Sequence, residues 1–156
     1  MPRTDRIEPK GIELLLEKQV GVLSSILPDG SPHATPVWVD VEPDGSHILV
    51  NTGMGHQKFK NIARDPRVAL TVVDSNDNWR TVQVRGIVVE TRGPDQGAIE
   101  HINKLSKKYT GRENYAVPEG ETRVILRIKP THVLQWSGTT RGTNWREMQG
   151  ESEPRS

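Results

Sequence analysis

The segment NTGMGHQKFKN, from Asn51 to Asn61, carries the most informative chemistry in the chain. A β-type run ends here, a glycine-containing loop follows and a helix begins, so unpaired backbone N–H groups and the positive end of a helix dipole come together. His56 and Lys58 add basic side chains, although a cation near a helix N-terminus is disfavoured by about 0.3–1 kcal/mol. An anionic ligand such as a phosphate would explain this choice of residues. The alternative is a solvated basic helix face with a threonine cap.

A second candidate is the stretch Thr35-Pro36-Val37-Trp38. Proline cannot donate a hydrogen bond to a strand ladder, so Pro36 marks a strand edge or a bulge. The backbone groups exposed there could read the edge of a flat heterocycle. The alternative is an ordinary edge strand with Trp38 packed in the core.

Arg80 and Arg85 form the third candidate, in the strand that begins near Trp79. An arginine in mid-strand that faces away from the valines must meet solvent, an anion or a partner subunit. A plain surface arginine is the alternative for each.

The usual catalytic sets are missing from the sequence. It has no cysteine, GxSxG elbow, HExxH motif or Walker loop, and its five histidines are scattered. We expect no metal site, and each histidine is predicted to be a surface or capping residue: His33, His47, His56, His101 and His132. No catalytic residue is identified, so any chemistry is expected to belong to a bound cofactor.

Composition narrows the class of protein. The 156 residues suffice for one domain, and a net charge of +1 gives no global attraction to nucleic acid or an anionic membrane. Residues 1–10 do not resemble a signal peptide, and no run is long enough to span a bilayer, so a cytoplasmic protein is expected. Hydrophobic residues make up only 33% of the chain, which suggests that a partner subunit completes the core.

Hydrophobic periodicity predicts three helices and six strands. The helices are expected at 9–18, 55–64 and 94–109, and the strands at 20–27, 32–41, 47–51, 67–73, 79–90 and 122–136. Two PDGS turns flank the second strand and indicate a meander. The predicted fold is mainly β (α+β), an antiparallel barrel with peripheral helices. It forms a domain at 1–136, followed by a polar tail at 137–156.

Four segments together resemble the pyridoxamine-5′-phosphate-oxidase-like split-barrel superfamily, in particular its branch that uses the deazaflavin coenzyme F-420. They are GVLSSILPDGSPHATPVWVDVE, ILVNTGMGHQKFKNIARDPRVALTVVD, VQVRGIVVE and RVILRIKPTHVLQW. The resemblance implies a six-stranded FMN-binding type of split barrel, a homodimer, and two cofactor sites at the dimer interface. It further implies an oxidoreductase that transfers hydride to a small conjugated substrate.

The same resemblance assigns residues to the cofactor. Lys58 and Asn61 would hold its phosphate with support from Thr52, and Arg85 would lie on the matching strand. The ring system would run along Pro36, Val37 and Trp38.

Met54 and His56 stand where the family often has arginine, which leaves FMN open as the alternative cofactor. A further alternative is a non-catalytic protein that binds a flavin, a haem or a bile pigment.

Overall fold

The computed structural model describes residues 5–136. Its helices are α1 (Pro9–Leu16), α2 (Gln57–Arg64) and α3 (Ala98–Thr110), with a short 3-10 turn at Pro94–Gln96. Its strands are β1 (Gly21–Ile26), β2 (Pro32–Val37), β3 (Asp40–Val41), β4 (Ile48–Gly53), β5 (Arg67–Val73), β6 (Thr81–Arg92) and β7 (Arg123–Trp136). Every predicted element is present, and the bounds of β5 match the prediction at both ends. The predicted tail at 137–156 lies outside the described residues.

The predicted strand at 32–41 is divided between two edges of the sheet. β2 pairs with β1, whereas β3 pairs with β4. The strand order is β2-β1-β5-β6-β7-β4-β3, so β2 and β3 form opposite edges of the antiparallel sheet. Because only Trp38 and Val39 separate these strands in sequence, the two edges lie close together and the sheet curls into a half-barrel. The predicted count of six strands was wrong, since residues 5–136 form seven. The mainly β antiparallel fold with three helices is confirmed.

β6 and β7 are the longest strands and carry much of the curvature. Their register shifts twice, between Arg85 and Gly86 and between Val88 and Glu90. Such irregularities bend a strand and increase its twist. A Cβ atom on Gly86 would lie 2.6 Å from the carbonyl oxygen of Lys129, so the close approach of the two strands requires glycine at this point.

The core fills the inside of the curl. The alternating residues that the sequence predicts to face inward on β7 are buried there: Val124, Leu126 and Ile128. α1 packs against the same core through Leu14 and Leu15. Burial of each large aliphatic side chain contributes roughly 1.5–3 kcal/mol, so this interior provides the main favourable free energy of folding.

α3 covers the outer side of β4 and β7. Ala98 packs there with Leu49 and Ile125, which alternate with the residues that face the core. As both faces of β4 are covered, all six of its residues are buried. Two of them, Asn51 and Thr52, are polar, and this places hydrogen-bonding groups inside the protein beside the loop that leads into α2.

The two predicted PDGS turns are confirmed by their glycines. Gly30 has φ of 86° and Gly45 has φ of 74°, values that favour glycine in the last turn position. No helix within residues 5–136 is both long and apolar enough to cross a membrane.

Candidate cofactor-binding site

A cavity of about 330 Å³ lies between the end of β2 and the start of α2. Six residues predicted from the sequence line it: Pro36, Val37, Trp38, Asn51, His56 and Lys58. Four more complete its wall: Val20, Ile102, Tyr115 and Arg123. The structure thus joins the first two candidate segments of the sequence into one site.

The entry into α2 has no side-chain cap. Its N-cap residue is His56, and no acidic residue occupies the first turn. The His56 ring places Nδ1 3.1 Å from Thr52 Oγ1 and Nε2 2.7 Å from Glu121 Oε1. The threonine-cap alternative is therefore wrong for Thr52, whose hydroxyl contacts the imidazole. The chain leaves the positive end of the helix dipole without a compensating charge in the first turn.

Lys58 is a half-buried cation on the wall of the cavity. Its Nζ lies 3.4 Å from His56 Nδ1, and it makes no ion pair within residues 5–136. Burial lowers the pKa of Lys58, the nearby charge of Arg123 lowers it further, and Glu121 opposes the change. The folded protein therefore holds two cations close together beside a cavity, where an anion would stabilise both.

Arg123, at the start of β7, is the main residue that the sequence analysis missed. Its side chain is only 5% exposed. Nε donates to Asn51 Oδ1 at 2.9 Å, Nη1 donates to Glu121 Oε2 at 3.1 Å, and the guanidinium lies 5.0 Å from the Tyr115 ring centroid. One signal was available: Arg123 alternates with Val124, which faces the core, so the arginine belongs to the face that α3 covers.

Aromatic rings form the apolar side of the site. Trp38 stacks on Tyr109 with ring centroids 5.2 Å apart, and the edge contact from Trp38 to Tyr115 spans 6.1 Å. The Tyr109 hydroxyl fixes this arrangement, since it accepts from the Val39 amide and donates to the Gln19 carbonyl. Trp38 thus both packs against its neighbours and lines the cavity.

Pro36 lies in β2, an edge strand of the sheet, and its missing N–H agrees with that position. Together with Val37 it extends the apolar wall. Carbon atoms thus line this part of the cavity, and His56, Lys58 and Arg123 supply its basic groups.

Asn61 and Thr52 lie near the site and do not line the cavity. Asn61 is fully buried and donates to Ser25 Oγ at 3.0 Å, so it ties α2 to β1. Thr52, also fully buried, supports the His56 ring.

Arg80 lies away from the cavity in a cluster of charges. It pairs with Glu17 at 2.6 Å and with Asp74 at 3.0 Å. These hydrogen bonds, above all the one to Glu17, raise the pKa of Arg80.

Arg85 is exposed on β6 and borders a separate concavity of about 410 Å³ with Ile87 and His132. One copy of the chain does not bring either arginine to the cavity, and their cofactor roles stay predictions.

His101 corrects the prediction that all five histidines are surface or capping residues. It lies on α3, is 8% exposed, and places Nε2 3.1 Å from Asp40 Oδ2. Burial alone would raise the pKa of Asp40, but hydrogen bonds from His101, Lys104 and the Val41 amide outweigh it and lower the pKa to about 2. Asp40 is therefore a buried carboxylate, ionised at neutral pH.

Known proteins are similar to this chain along most of its length. The model of a family described as pyridoxamine 5′-phosphate oxidase matches residues 7–137. A biliverdin reductase of Mycobacterium tuberculosis that depends on reduced coenzyme F-420 is 25% identical over 132 residues, 84% of this chain and 89% of that protein.

Solved structures agree with this relationship. A structure named as an F-420 reductase has a TM-score of 0.67 and 28% identity, and the match covers 78% of this chain and 93% of that one. A conserved hypothetical protein from Mycobacterium tuberculosis has a TM-score of 0.65 at 22% identity, with 100% of this chain and 96% of that one covered. This last similarity concerns the fold alone.

Proposed function

Because the chain belongs to the pyridoxamine 5′-phosphate oxidase family, we propose that it is an oxidoreductase that uses coenzyme F-420 to transfer hydride to a small conjugated substrate. Two of its relatives carry this coenzyme in their names. The observation that carries the proposal is the cavity, which joins an aromatic, apolar wall to a basic end without a neutralising acid in the first turn of α2.

The residues present fit such a cofactor. A deazaflavin combines a flat ring system with an anionic side chain, and the cavity offers a matching surface for each part. Pro36, Val37 and Trp38 would lie along the ring, and Lys58 would bind the phosphate. His56 lines the same basic end, where Thr52 and Glu121 hold its two ring nitrogens in place.

When bound, the reduced deazaflavin supplies the hydride. The protein then needs to bind, orient and shield the reactants, and no side chain has to act as a nucleophile. The Trp38 ring would hold a flat ligand in one plane, and Asn51 and Glu121 fix Arg123 at the basic end.

We further propose that two copies of the chain assemble and that the cofactor lies at their interface. The exposed apolar side chains on the outer face of the sheet support this, among them Val22 at 45% and Ile87 at 40% exposure. Arg85 lies on the same outer surface and would face the partner copy. Sedimentation at micromolar concentration should give a dimer, and a monomer would remove the interface from the proposal.

The test of the function is turnover. The protein is mixed with reduced F-420 and a panel of conjugated acceptors that includes biliverdin, and cofactor oxidation is followed by absorbance. Oxidation that requires both protein and acceptor supports the proposal. Binding of F-420 without oxidation by any acceptor would favour a carrier, and oxidation of reduced FMN in its place would make the protein an FMN enzyme.

A further inference from the structure

A continuous series of polar contacts runs from β3 through α3 to the cavity. It begins at Asp40 and passes through His101 and Asn51 to Arg123. We propose that Arg123 is the buried anion-binding residue of the cavity, and that His101, fixed by Asp40, positions it through Asn51. The inference rests on the proposed function, since an anionic cofactor is what Arg123 would bind.

Arg123 is suited to hold an anion because its own position is already fixed. Asn51 and Glu121 accept from Nε and Nη1, while Nη2 has no acceptor within residues 5–136. The residue lines the cavity although only 4% of its surface is exposed. A guanidinium that is buried, oriented and partly unsatisfied binds an oxyanion more strongly than a mobile surface lysine, since less side-chain entropy is lost.

The Asn51 amide determines how Arg123 is held. Its Nδ2 donates to the Ala98 carbonyl oxygen at 2.9 Å, and a carbonyl can only accept, so the amide orientation is fixed. Oδ1 therefore faces Arg123 and accepts from Nε. A flipped amide would place its donor against the arginine donor and leave both unsatisfied inside the protein.

His101 supports that orientation through its tautomer. Asn51 Nδ2 lies 3.2 Å from His101 Nδ1, so Nδ1 must accept and the proton lies on Nε2, where it is donated to Asp40. Lys104 Nζ at 3.0 Å and the Val41 amide at 2.9 Å keep the carboxylate of Asp40 in place. With the proton on Nδ1, His101 would oppose the Asn51 amide and favour the flip that releases Arg123.

Two substitutions at His101 separate a positioning role from mere packing. His101→Gln can accept from Asn51 and donate to Asp40, as the observed tautomer does, whereas His101→Leu can do neither. Ser106→Ala is the matched control, because Ser106 is a buried polar residue of α3, 2% exposed, that contacts Thr110 and not the series.

The readout is the ¹H–¹⁵N resonance of the Arg123 Nε–H, assigned by its loss in Arg123→Lys, during a titration with inorganic phosphate. In wild type, His101→Gln and Ser106→Ala, the resonance should be protected from exchange and should shift saturably. In His101→Leu, exchange should be at least about tenfold faster and the phosphate shift should be lost. If His101→Leu does not fold, Asp40→Asn is used and should show the same loss in part.

Equal protection and equal phosphate shifts in wild type and His101→Leu would overturn the positioning role. A wild-type Arg123 resonance that phosphate does not shift would overturn the anion-binding role. Failure of the proposed function looks different: the protein would not bind F-420, while the phosphate shift and its dependence on His101 would remain.

Discussion

Replacement of Lys58 by alanine is expected to weaken F-420 binding without loss of stability. Lys58 is half-buried on the cavity wall and has no ion-pair partner within residues 5–136. A charge-assisted hydrogen bond to a phosphate contributes about 1.5–3 kcal/mol, so the Kd should rise by roughly 10- to 150-fold. Burial and Arg123 both lower the pKa of Lys58, which means that its charged form is disfavoured in the folded state. Removal of that charge should therefore leave the unfolding midpoint unchanged or slightly higher.

Lys60→Ala is the matched control for this variant. Lys60 lies two residues further along α2, carries the same charge, is exposed, and does not line the cavity. Its loss should alter the Kd by about twofold or less, since solvent and salt screen a distant surface charge. Both variants are measured by equilibrium titration of cofactor fluorescence near pH 7. An equal loss of affinity in the two variants would refute the direct contact, as would an unchanged Kd in Lys58→Ala.

Three further substitutions test the structure around the site. The pKa of Asp40 is about 2 in the folded protein against 3.8 in the unfolded chain. Because the unfolded chain takes up the proton first, the free energy of unfolding falls by about 2 kcal/mol as the pH falls from 5 to 2. Asp40→Asn should lack this part of the acid destabilisation when stability is measured by urea unfolding. Tyr109→Phe leaves the Val39 amide and the Gln19 carbonyl without their partner and should cost about 2 kcal/mol or more, measured as a lower urea midpoint at constant m. Gly86→Ala places a methyl group 2.6 Å from a β7 carbonyl oxygen and should cost at least about 1–3 kcal/mol, seen as a lower melting temperature.

Each of these has an outcome that would count against it. Parallel stability curves for wild type and Asp40→Asn from pH 5 to 2 would show that Asp40 has no depressed pKa. Tyr115→Phe serves as the control for Tyr109→Phe, because the Tyr115 hydroxyl makes no hydrogen bond within residues 5–136; equal losses in both would remove the bridging role of Tyr109. A Gly86→Ala protein of unchanged stability would show that the strands can separate there at no cost.

The elements that follow from local rules could be predicted from the sequence. The strand at 67–73 begins after a proline and alternates cleanly, and the structure has the same bounds. In each PDGS segment the proline and the glycine by themselves favour a turn. The positive φ of Gly30 and Gly45 confirms both turns. Such signals depend only on neighbours in sequence, so no knowledge of the tertiary fold is needed.

The division of the run at 32–41 could not be predicted in this way. Val37, Val39 and Val41 alternate without interruption, and all three are buried as expected. The change occurs in the pairing partner, from β1 to β4, and alternation carries no information about the partner. Because of that change, the run forms two strands where one was predicted, and the two edges of the sheet lie close together.

The residues of the candidate site divide in the same way, into those that local sequence identifies and those that only the tertiary fold identifies. The loop before α2 and the segment around Trp38 could be found from residue type, since basic residues at a helix start and a proline in a strand break local preferences. Alternation with Val124 indicates the strand face on which Arg123 lies, but the burial of Arg123 and His101 could not be predicted. It depends on Asn51 and Asp40, which lie about 60 to 70 residues away in sequence. An arginine and a histidine of this kind look like surface residues until β4, β7 and α3 are packed together.

The most direct test of the central claim is a pair of equilibrium titrations of the purified protein, one with F-420 and one with FMN, followed by cofactor and tryptophan fluorescence. Trp38 lines the cavity, so quenching by a bound ring reports occupancy of that site. We predict saturable binding of F-420 at micromolar concentration or below, with much weaker binding of FMN. Tighter binding of FMN, or no binding of either cofactor, would contradict the account.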